Sequence, residues 1–213
     1  MKTTYARIFL LVLATTVGIL GDRTAMAKEN AGNVIAARRQ AWAERGSTQD
    51  SLSSKSEVFS GDILSTNPVG RLQVLFRDDS VLMMAPDTRT TVTEYVYDSG
   101  GKPAFNLSVA QGVDRLISGR ITEADPSAMS VETPQAVVGI QGTEVQISSI
   151  GDATEISLLR GTAGKPLTIY SKVHNTSHVL DINNTSMIIR GSQIEPPKLL
   201  RMSSSALSAL SIT

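Results

Sequence analysis

The only histidines of the chain, His174 and His178, are four residues apart. Such a pair faces one way on a helix or on a strand, so the spacing would let two imidazoles bind one metal ion. However, no glutamate follows His174 as a zinc signature requires, and the intervening Asn-Thr-Ser is typical of a turn. We therefore predict a surface loop here and no metal site.

Two further stretches have residue types that bind ligands. The glycines of residues 139–143 could present backbone N–H groups to a phosphate, but a phosphate loop also needs a lysine and a following helix. Asp78 and Asp79 could bind a cation, although adjacent carboxylates in a hairpin turn usually bond to the backbone. We predict a structural role for both stretches.

Other catalytic arrangements are missing from the sequence or cannot be judged from it. There is no Gly-x-Ser-x-Gly nucleophile elbow. The chain has no cysteine, which excludes disulfides, thiolate ligands, thiol catalysis and a thioether-linked lipid. Carboxylate pairs for glycoside hydrolysis meet only in space, so the sequence leaves that chemistry open. We predict a protein that is not an enzyme and has no catalytic residue, cofactor or metal.

The N-terminus has the pattern of a secretory signal peptide. An apolar run over residues 8–21 follows two basic side chains, and it is shorter than the roughly 20 residues that span a bilayer. Ala25 and Ala27 are small residues at the positions that a signal peptidase reads, so we expect cleavage between Ala27 and Lys28. An uncleaved anchor is the alternative. The signal predicts a periplasmic or secreted bacterial protein whose mature chain has no membrane span.

Length and charge limit the class of protein further. Cleavage would leave 213 minus 27, or 186 residues, enough for one domain with a sizeable core or for a domain plus a tail. The full chain has 20 basic and 20 acidic residues. Nucleic-acid binding needs a clear basic excess, so we predict no nucleic-acid partner.

From residue 57 onward the sequence is a succession of short runs of alternating apolar and polar residues. Turn signals separate these runs about every ten residues, which is typical of all-β proteins. Residues 32–45 favour helix by composition, but we interpret them as strands, and the polar residues 46–56 predict a loop. The expected fold is all-β, a compact β-sandwich or a short β-roll.

We expect three segments along the chain. Residues 1–27 form the signal peptide and residues 28–195 form the β domain. A pair of prolines at 196–197 marks a boundary, after which residues 196–213 form a tail that is poorly ordered or a short amphipathic helix.

Residues 131–147 predict a strand, a corner and a second strand. Pro134 cannot donate to a sheet ladder, so it belongs at an edge or a strand start. Gly139 and Gly142 mark a bend, after which Val145 and Ile147 alternate with polar residues. We interpret this corner as the feature around which the rest of the chain is organised, because the same residues are also the most recognisable ones.

The Glu-Thr-Pro, Gly-Ile-x-Gly-Thr and following strand closely resemble the signature of the FecR-type periplasmic domain. Residues 60–66 and 70–80 also resemble motifs of that family, and the resemblance covers about residues 32–165. It implies structural roles for ten positions. These are Gly61, Asp62, Thr66, Asp78, Ser80, Thr133, Pro134, Gly139, Gly142 and Thr143.

The chain departs from the family pattern at three positions. Gln141 stands where the family usually has arginine. Arg39 and Asp79 stand where the family often has glycine. The order of the remaining motifs is unaffected.

The resemblance implies a non-catalytic module that senses a signal by binding a protein of the cell envelope. The partner in that case is an envelope protein such as a transporter signalling domain or a membrane regulator. The alternative is a structural envelope module that binds peptidoglycan or polysaccharide. Sugar binding needs aromatic platforms, for which Trp42, Tyr95, Tyr97 and Tyr170 are the candidates, although core packing is the more common use of such residues.

Overall fold

The computed structural model describes residues 29–199, which contain seventeen β-strands and one short helix. The predicted signal peptide with Ala25, Ala27 and Lys28, and most of the predicted tail, lie outside these residues. The elements are β1 (Asn30–Arg38), β2 (Ala41–Arg45), β3 (Thr48–Ser51), β4 (Glu57–Phe59), β5 (Ile63–Thr66), β6 (Arg71–Phe76), β7 (Val81–Met84), β8 (Arg89–Val96), β9 (Ala104–Ile117), α1 (Ile121–Ala124), β10 (Met129–Glu132), β11 (Ala136–Gly139), β12 (Glu144–Ile150), β13 (Ala153–Arg160), β14 (Leu167–Ser171), β15 (Thr176–Leu180), β16 (Thr185–Arg190) and β17 (Ile194–Leu199).

The strands form two sheets that share one strand. The first sheet has the order β4, β1, β6, β7, β9, β12, β13, β16, β17. The second has the order β3, β2, β5, β8, β9, β10, β11, β14, β15. All pairings are antiparallel except that of β9 with β10. The long β9 is the middle strand of both sheets, and the prediction of an all-β fold is confirmed.

The inner faces of the two sheets pack on one continuous apolar core. Phe76 of the first sheet lies against Phe105 and Tyr95 of the second, with ring centroids 4.4 and 5.6 Å apart. All three rings are at most 1% exposed. Because aromatic pairs at such distances add to the energy of burial, this cluster helps to hold the sheets together as a sandwich.

The chain passes from one sheet to the other within β9, at Gly112. Residues 104–111 pair in the second sheet, and residues 112–117 pair with β7 and β12 in the first. Gly112 has a φ of +100°, and a Cβ at this position would lie 2.5 Å from Cα of Thr88. Glycine is required here because the backbone is both left-handed and in close contact with a neighbouring segment.

The corner predicted at residues 139–143 also changes sheets. β11 belongs to the second sheet and β12 to the first, so the prediction of strand, corner, strand is confirmed. The first run is itself divided, because Pro134 lies in a turn that folds β11 back onto β10. This hairpin keeps the proline out of the ladder.

Two segments differ from the expectations at the sheet edges. The predicted loop over residues 46–56 contains β3, whose four residues are all exposed and pair only with β2. An edge strand can form through backbone bonds without a buried face. The last strand, β17, continues past residue 195 to Leu199, and Pro196 and Pro197 lie at a register shift where no ladder bond is needed.

Candidate binding surface

Gly61 and Asp62 form the turn before β5. Gly61 has a φ of +84°, and the carboxylate of Asp62 is fully buried. Arg45 donates from Nε to both oxygens of Asp62 at 3.0 Å, and the backbone N–H of Phe59 donates to Oδ2 at 2.9 Å. The carboxylate therefore ties β2 to the turn between β4 and β5.

Thr66 joins the end of β5 to the loop that precedes β8. Its Oγ1 donates to the carbonyl of Ala85 at 2.7 Å and accepts from the backbone N–H of Thr88 at 3.0 Å. The side chain is buried, so these bonds satisfy a hydroxyl that would otherwise destabilise the core.

Asp78 and Ser80 fix the hairpin between β6 and β7. Asp78 accepts from Oη of Tyr95 at 3.1 Å and from Oγ of Ser80 at 2.6 Å, and Gly119 donates its N–H to Ser80 Oγ at 2.8 Å. Asp79, with a φ of +67°, points outward and pairs with Arg120. The two carboxylates thus have different partners and do not converge on a cation site.

Thr133 and Thr143 lie at the two turns that flank β11 and form different hydrogen bonds. Thr133 Oγ1 accepts from the N–H of Ala136 at 3.0 Å and from Thr154 Oγ1 at 2.9 Å. Thr143 donates its N–H to Ser118 Oγ at 2.8 Å. These turns lie next to the surface described below, so the motif residues hold its strands in place.

Gly142 lies in the corner at a φ of +68°. A Cβ here would meet only the flexible end of Lys165, at 3.2 Å, so the backbone conformation sets the cost of a substitution. We expect Gly142→Val to lower the free energy of unfolding by roughly 1 to 3 kcal/mol, measured by urea denaturation. Gly191→Val is the matched control, because Gly191 lacks a positive φ and nothing lies within 4 Å of its Cβ position. Equal stability of the two variants would contradict the role of the bend.

The histidines bond to groups nearby instead of forming a metal site. His174 lies in the turn before β15, where its Nε2 is 2.9 Å from the carbonyl of Arg190. His178 lies on the edge strand β15 itself, which corrects the prediction of a loop, and its Nε2 is 2.9 Å from Thr176 Oγ1. Within residues 29–199, no three or more histidine or acidic side chains are grouped for metal binding.

The four candidate aromatic residues separate into core and surface. Tyr95 is 1% exposed and packs on Phe105, so it cannot be a sugar platform. Tyr97 packs partly buried against the core, and Trp42 is half-buried on β2. Only Tyr170 is exposed, at 42%.

Exposed apolar side chains are concentrated around the free edge of the second sheet. β15 pairs with β14 and has no partner strand on its other side among residues 29–199. Val179 of β15 is 56% exposed, and Val173 and Ile182 at its two ends are 47% and 62% exposed. With Tyr170 of β14 they form what we call the apolar edge. Exposed apolar groups beside an unpaired strand are typical of a site for another chain.

A groove of about 410 Å³ lies on the outer face of the sheet next to the apolar edge. Gly139 forms its floor, directly opposite Thr168 in the strand register. Val137 and Tyr170 are cross-strand neighbours on one side, and Val179 lies on the other. A Cβ at Gly139 would clash with Thr168 Oγ1, so the glycine both permits the strand pairing and keeps the groove open.

A pair of charges lies next to the groove, because Glu132 is opposite the lining residue Val137 in the strand register. Lys172 donates to Glu132 at 2.8 Å across the exposed end of the sheet. Apart from His178, the lining of the groove is apolar or hydroxylated, and it includes Ser130 and Ser177. Such a lining suits an extended peptide with alternating side chains better than a charged small molecule.

Comparison with known proteins agrees with this architecture. Residues 62–164 match the model of the FecR protein family. Two crystal structures of a protein assigned as an anti-sigma factor from Parabacteroides distasonis ATCC 8503 align with TM-scores of 0.51 and 0.50 at 15% identity. Each alignment covers 65% of this chain and 59% of that chain, and at this identity it shows a shared fold. A comparison with curated protein sequences gave no match.

In residues 29–199, no helix has the length and apolar content needed to cross a membrane. The matched range begins at Asp62 and ends just after β13, so it contains the central strand of both sheets and the corner at Gly142. The resemblance found in the sequence is thereby confirmed over residues 62–164, which match the FecR family.

Proposed function

We propose that the chain is a non-catalytic FecR-like module of the bacterial cell envelope, periplasmic or exported, which senses a signal by binding another envelope protein. The observation that carries this proposal is the apolar edge beside the groove of Gly139, in a chain whose residues 62–164 match the FecR family. A transporter signalling domain or a membrane regulator is the kind of partner that the family suggests.

Binding by strand addition follows from the geometry of the edge. A partner segment that pairs with β15 would extend the second sheet and place alternate side chains over the groove. Val179 and Tyr170 would then be covered, which removes two large exposed apolar groups from water. No cofactor is needed for such an interaction.

The environments of three carboxylates support the proposal that the module is not catalytic. Asp62 and Asp78 are buried and bonded within the fold, and Glu144 is held by Arg115. Each of these three carboxylates is thus committed to a structural partner. The proposal that the module has no catalytic activity depends on these contacts.

A structural module that binds peptidoglycan or polysaccharide remains the second candidate. The exposed ring of Tyr170 beside the groove favours it, because sugars stack on aromatic faces. A single exposed ring gives a small platform, and its hydroxyl already donates to Asn175 at 2.5 Å. Protein binding therefore accounts for more of the exposed apolar side chains of the apolar edge than polysaccharide binding does.

The test is capture of partners in cells by chemical crosslinking of the tagged full chain, exported by its own N-terminal segment, followed by mass spectrometry. We expect Val179→Lys to reduce capture of the main envelope protein about tenfold or more, as for a central interface residue. Ile150→Lys is the matched control, because Ile150 is 63% exposed on the β12–β13 hairpin of the other sheet.

Capture that Val179→Lys and Ile150→Lys reduce equally would contradict the proposed surface. Recovery of wall fragments alone, lost in Tyr170→Ala, would instead support the polysaccharide alternative. Circular dichroism of each purified variant is the control that tests whether the fold is retained.

A further inference from the structure

A second cleft, far from the apolar edge in the strand order, is lined by three arginines. Its volume is about 480 Å³, and its lining comprises Arg38, Arg39, Arg71, Pro68, Val69 and Pro86. We call it the arginine cleft. Arg38 and Arg39 are exposed and no acidic side chain is part of the lining, so the cleft is strongly positive.

The arginines elsewhere in the protein have a different environment. Seven arginines of residues 29–199 lie outside the cleft, and each forms an ion pair with a carboxylate. They are Arg45, Arg77, Arg89, Arg115, Arg120, Arg160 and Arg190. Arg38 and Arg39 form no ion pair with another residue of the described range. Their charge is therefore available to a ligand.

Two local features of the cleft are unfavourable for the stability of the fold. Arg38 and Arg71 are direct partners in the antiparallel pairing of β1 and β6, and like charges placed opposite each other destabilise a sheet. Arg39 has a φ of +62°, which is uncommon for a residue with a long side chain. Arg39 therefore holds an exposed positive charge at a backbone conformation that costs stability, which is a feature found at functional sites.

We propose that the arginine cleft binds an acidic peptide segment of a partner protein. Guanidinium groups bind carboxylates with two parallel hydrogen bonds, so the exposed Arg38 and Arg39 suit a segment with more than one aspartate or glutamate. Val69, which is 56% exposed, and the two prolines add an apolar wall for a neighbouring side chain. This wall favours a peptide over a phosphate headgroup.

The cleft is independent of the surface in the proposed function. It lies between β1 and β6 of the first sheet and the loops before β6 and β8. The apolar edge lies on β14 and β15 of the second sheet. Either surface can therefore be disabled without altering the other, and the two proposals fail separately.

The test is fluorescence anisotropy of the purified protein with a labelled peptide of alternating glutamate and leucine. We expect saturable binding that weakens as salt is added, and a Kd at least about tenfold higher for the double variant Arg38→Gln, Arg39→Gly. The matched control is Arg120→Gln, Arg160→Gln, which removes two exposed arginines elsewhere and should leave Kd unchanged.

Thermal denaturation distinguishes binding from support of the fold. The cleft variant should melt at the same temperature as the wild type or higher, because a like-charge pair and a strained residue are removed together. A Tm below that of the control variant would overturn the proposal. So would unchanged peptide binding, equal binding of the peptide with glutamine in place of glutamate, or binding to vesicles of anionic phospholipid without binding to the peptide.

Discussion

Replacement of Gly112 by valine should destabilise the protein more than any other single substitution considered above, by about 3 kcal/mol or more. The residue has a φ of +100°, and the new Cβ would lie 2.5 Å from Cα of Thr88. Thr88 cannot move away easily, because its Oγ1 accepts from the N–H of Val113 and its own N–H donates to Thr66. Both sheets would be affected, since Gly112 is where β9 leaves one and enters the other.

The measurement is urea denaturation, with Gly100→Val as the control. Gly100 also has a positive φ, of +78°, but nothing lies within 4 Å of its Cβ position. The control therefore measures the cost of the backbone conformation alone, and the difference between the variants measures the close contact with Thr88. Two variants of equal stability would contradict the argument that β9 needs glycine to cross between the sheets.

The second large effect is a dependence of stability on pH that comes from Asp114. This residue of β9 is buried, and its cross-strand neighbours are the apolar residues Met84 and Ile147. Thr90 donates to its Oδ2 at 2.5 Å, and Oδ1 has no hydrogen-bond partner in the described part of the chain. Burial raises the pKa of Asp114 to about 7, against an ordinary value of 3.8, and the bond from Thr90 lowers it only in part.

The direction of the effect follows from proton binding. Between pH 4 and pH 7 the folded protein keeps a proton on Asp114 that the unfolded chain has lost, so the free energy of unfolding decreases as the pH rises. The stabilising contribution of the neutral group is complete below pH 4 and is lost as the pH rises through 7. With the raised pKa of about 7, the decrease is about 4 kcal/mol at most.

We expect Asp114→Asn to remove this decrease, because the amide has no charge to desolvate. The measurement is the free energy of unfolding of both proteins from pH 4 to pH 8 by urea denaturation. Asp152→Asn, at an exposed position of the β12–β13 turn, is the control for the loss of a carboxylate. If the wild type and Asp114→Asn kept a constant difference over this range, Asp114 would not be the titrating group.

Much of the fold could be predicted from local pattern. The alternation of Leu72, Val74 and Phe76 matches the buried face of β6, and the glycines at 139 and 142 correctly indicated a corner. These predictions succeed because one buried and one exposed face impose a period of two on the sequence. The pattern does not show which sheet a strand joins. The crossing of β9 at Gly112 was therefore not predicted, although the break at that glycine was visible.

The edge strands show a second limit of the sequence. β3 consists of Thr-Gln-Asp-Ser, and its pairing with β2 uses only the backbone. β17 contains two prolines, which would exclude a central strand but are accommodated at an edge beside a register shift. An edge strand leaves little trace in composition, so both segments were expected to be loop or tail.

The candidate surfaces were less predictable than the fold. The family motifs identified Gly139, which forms the floor of the groove, but Tyr170 and Val179 are single apolar residues in ordinary strand sequences. Their importance arises from the free edge at β15, which depends on strand order. The arginine cleft likewise unites residues more than thirty positions apart, and Arg39 was visible only as a departure from a frequent glycine. The predicted cleavage site and the placement in the envelope remain predictions.

The central claim, that the module binds an envelope protein at the apolar edge, is tested most directly by site-specific photocrosslinking in cells. A photoreactive amino acid replaces Val179 in one strain and Ile150 in another, each in the full chain. We predict a single main adduct with an envelope protein at position 179 and none at position 150. Adducts of equal yield at both positions, or an adduct only at position 150, would contradict the claim.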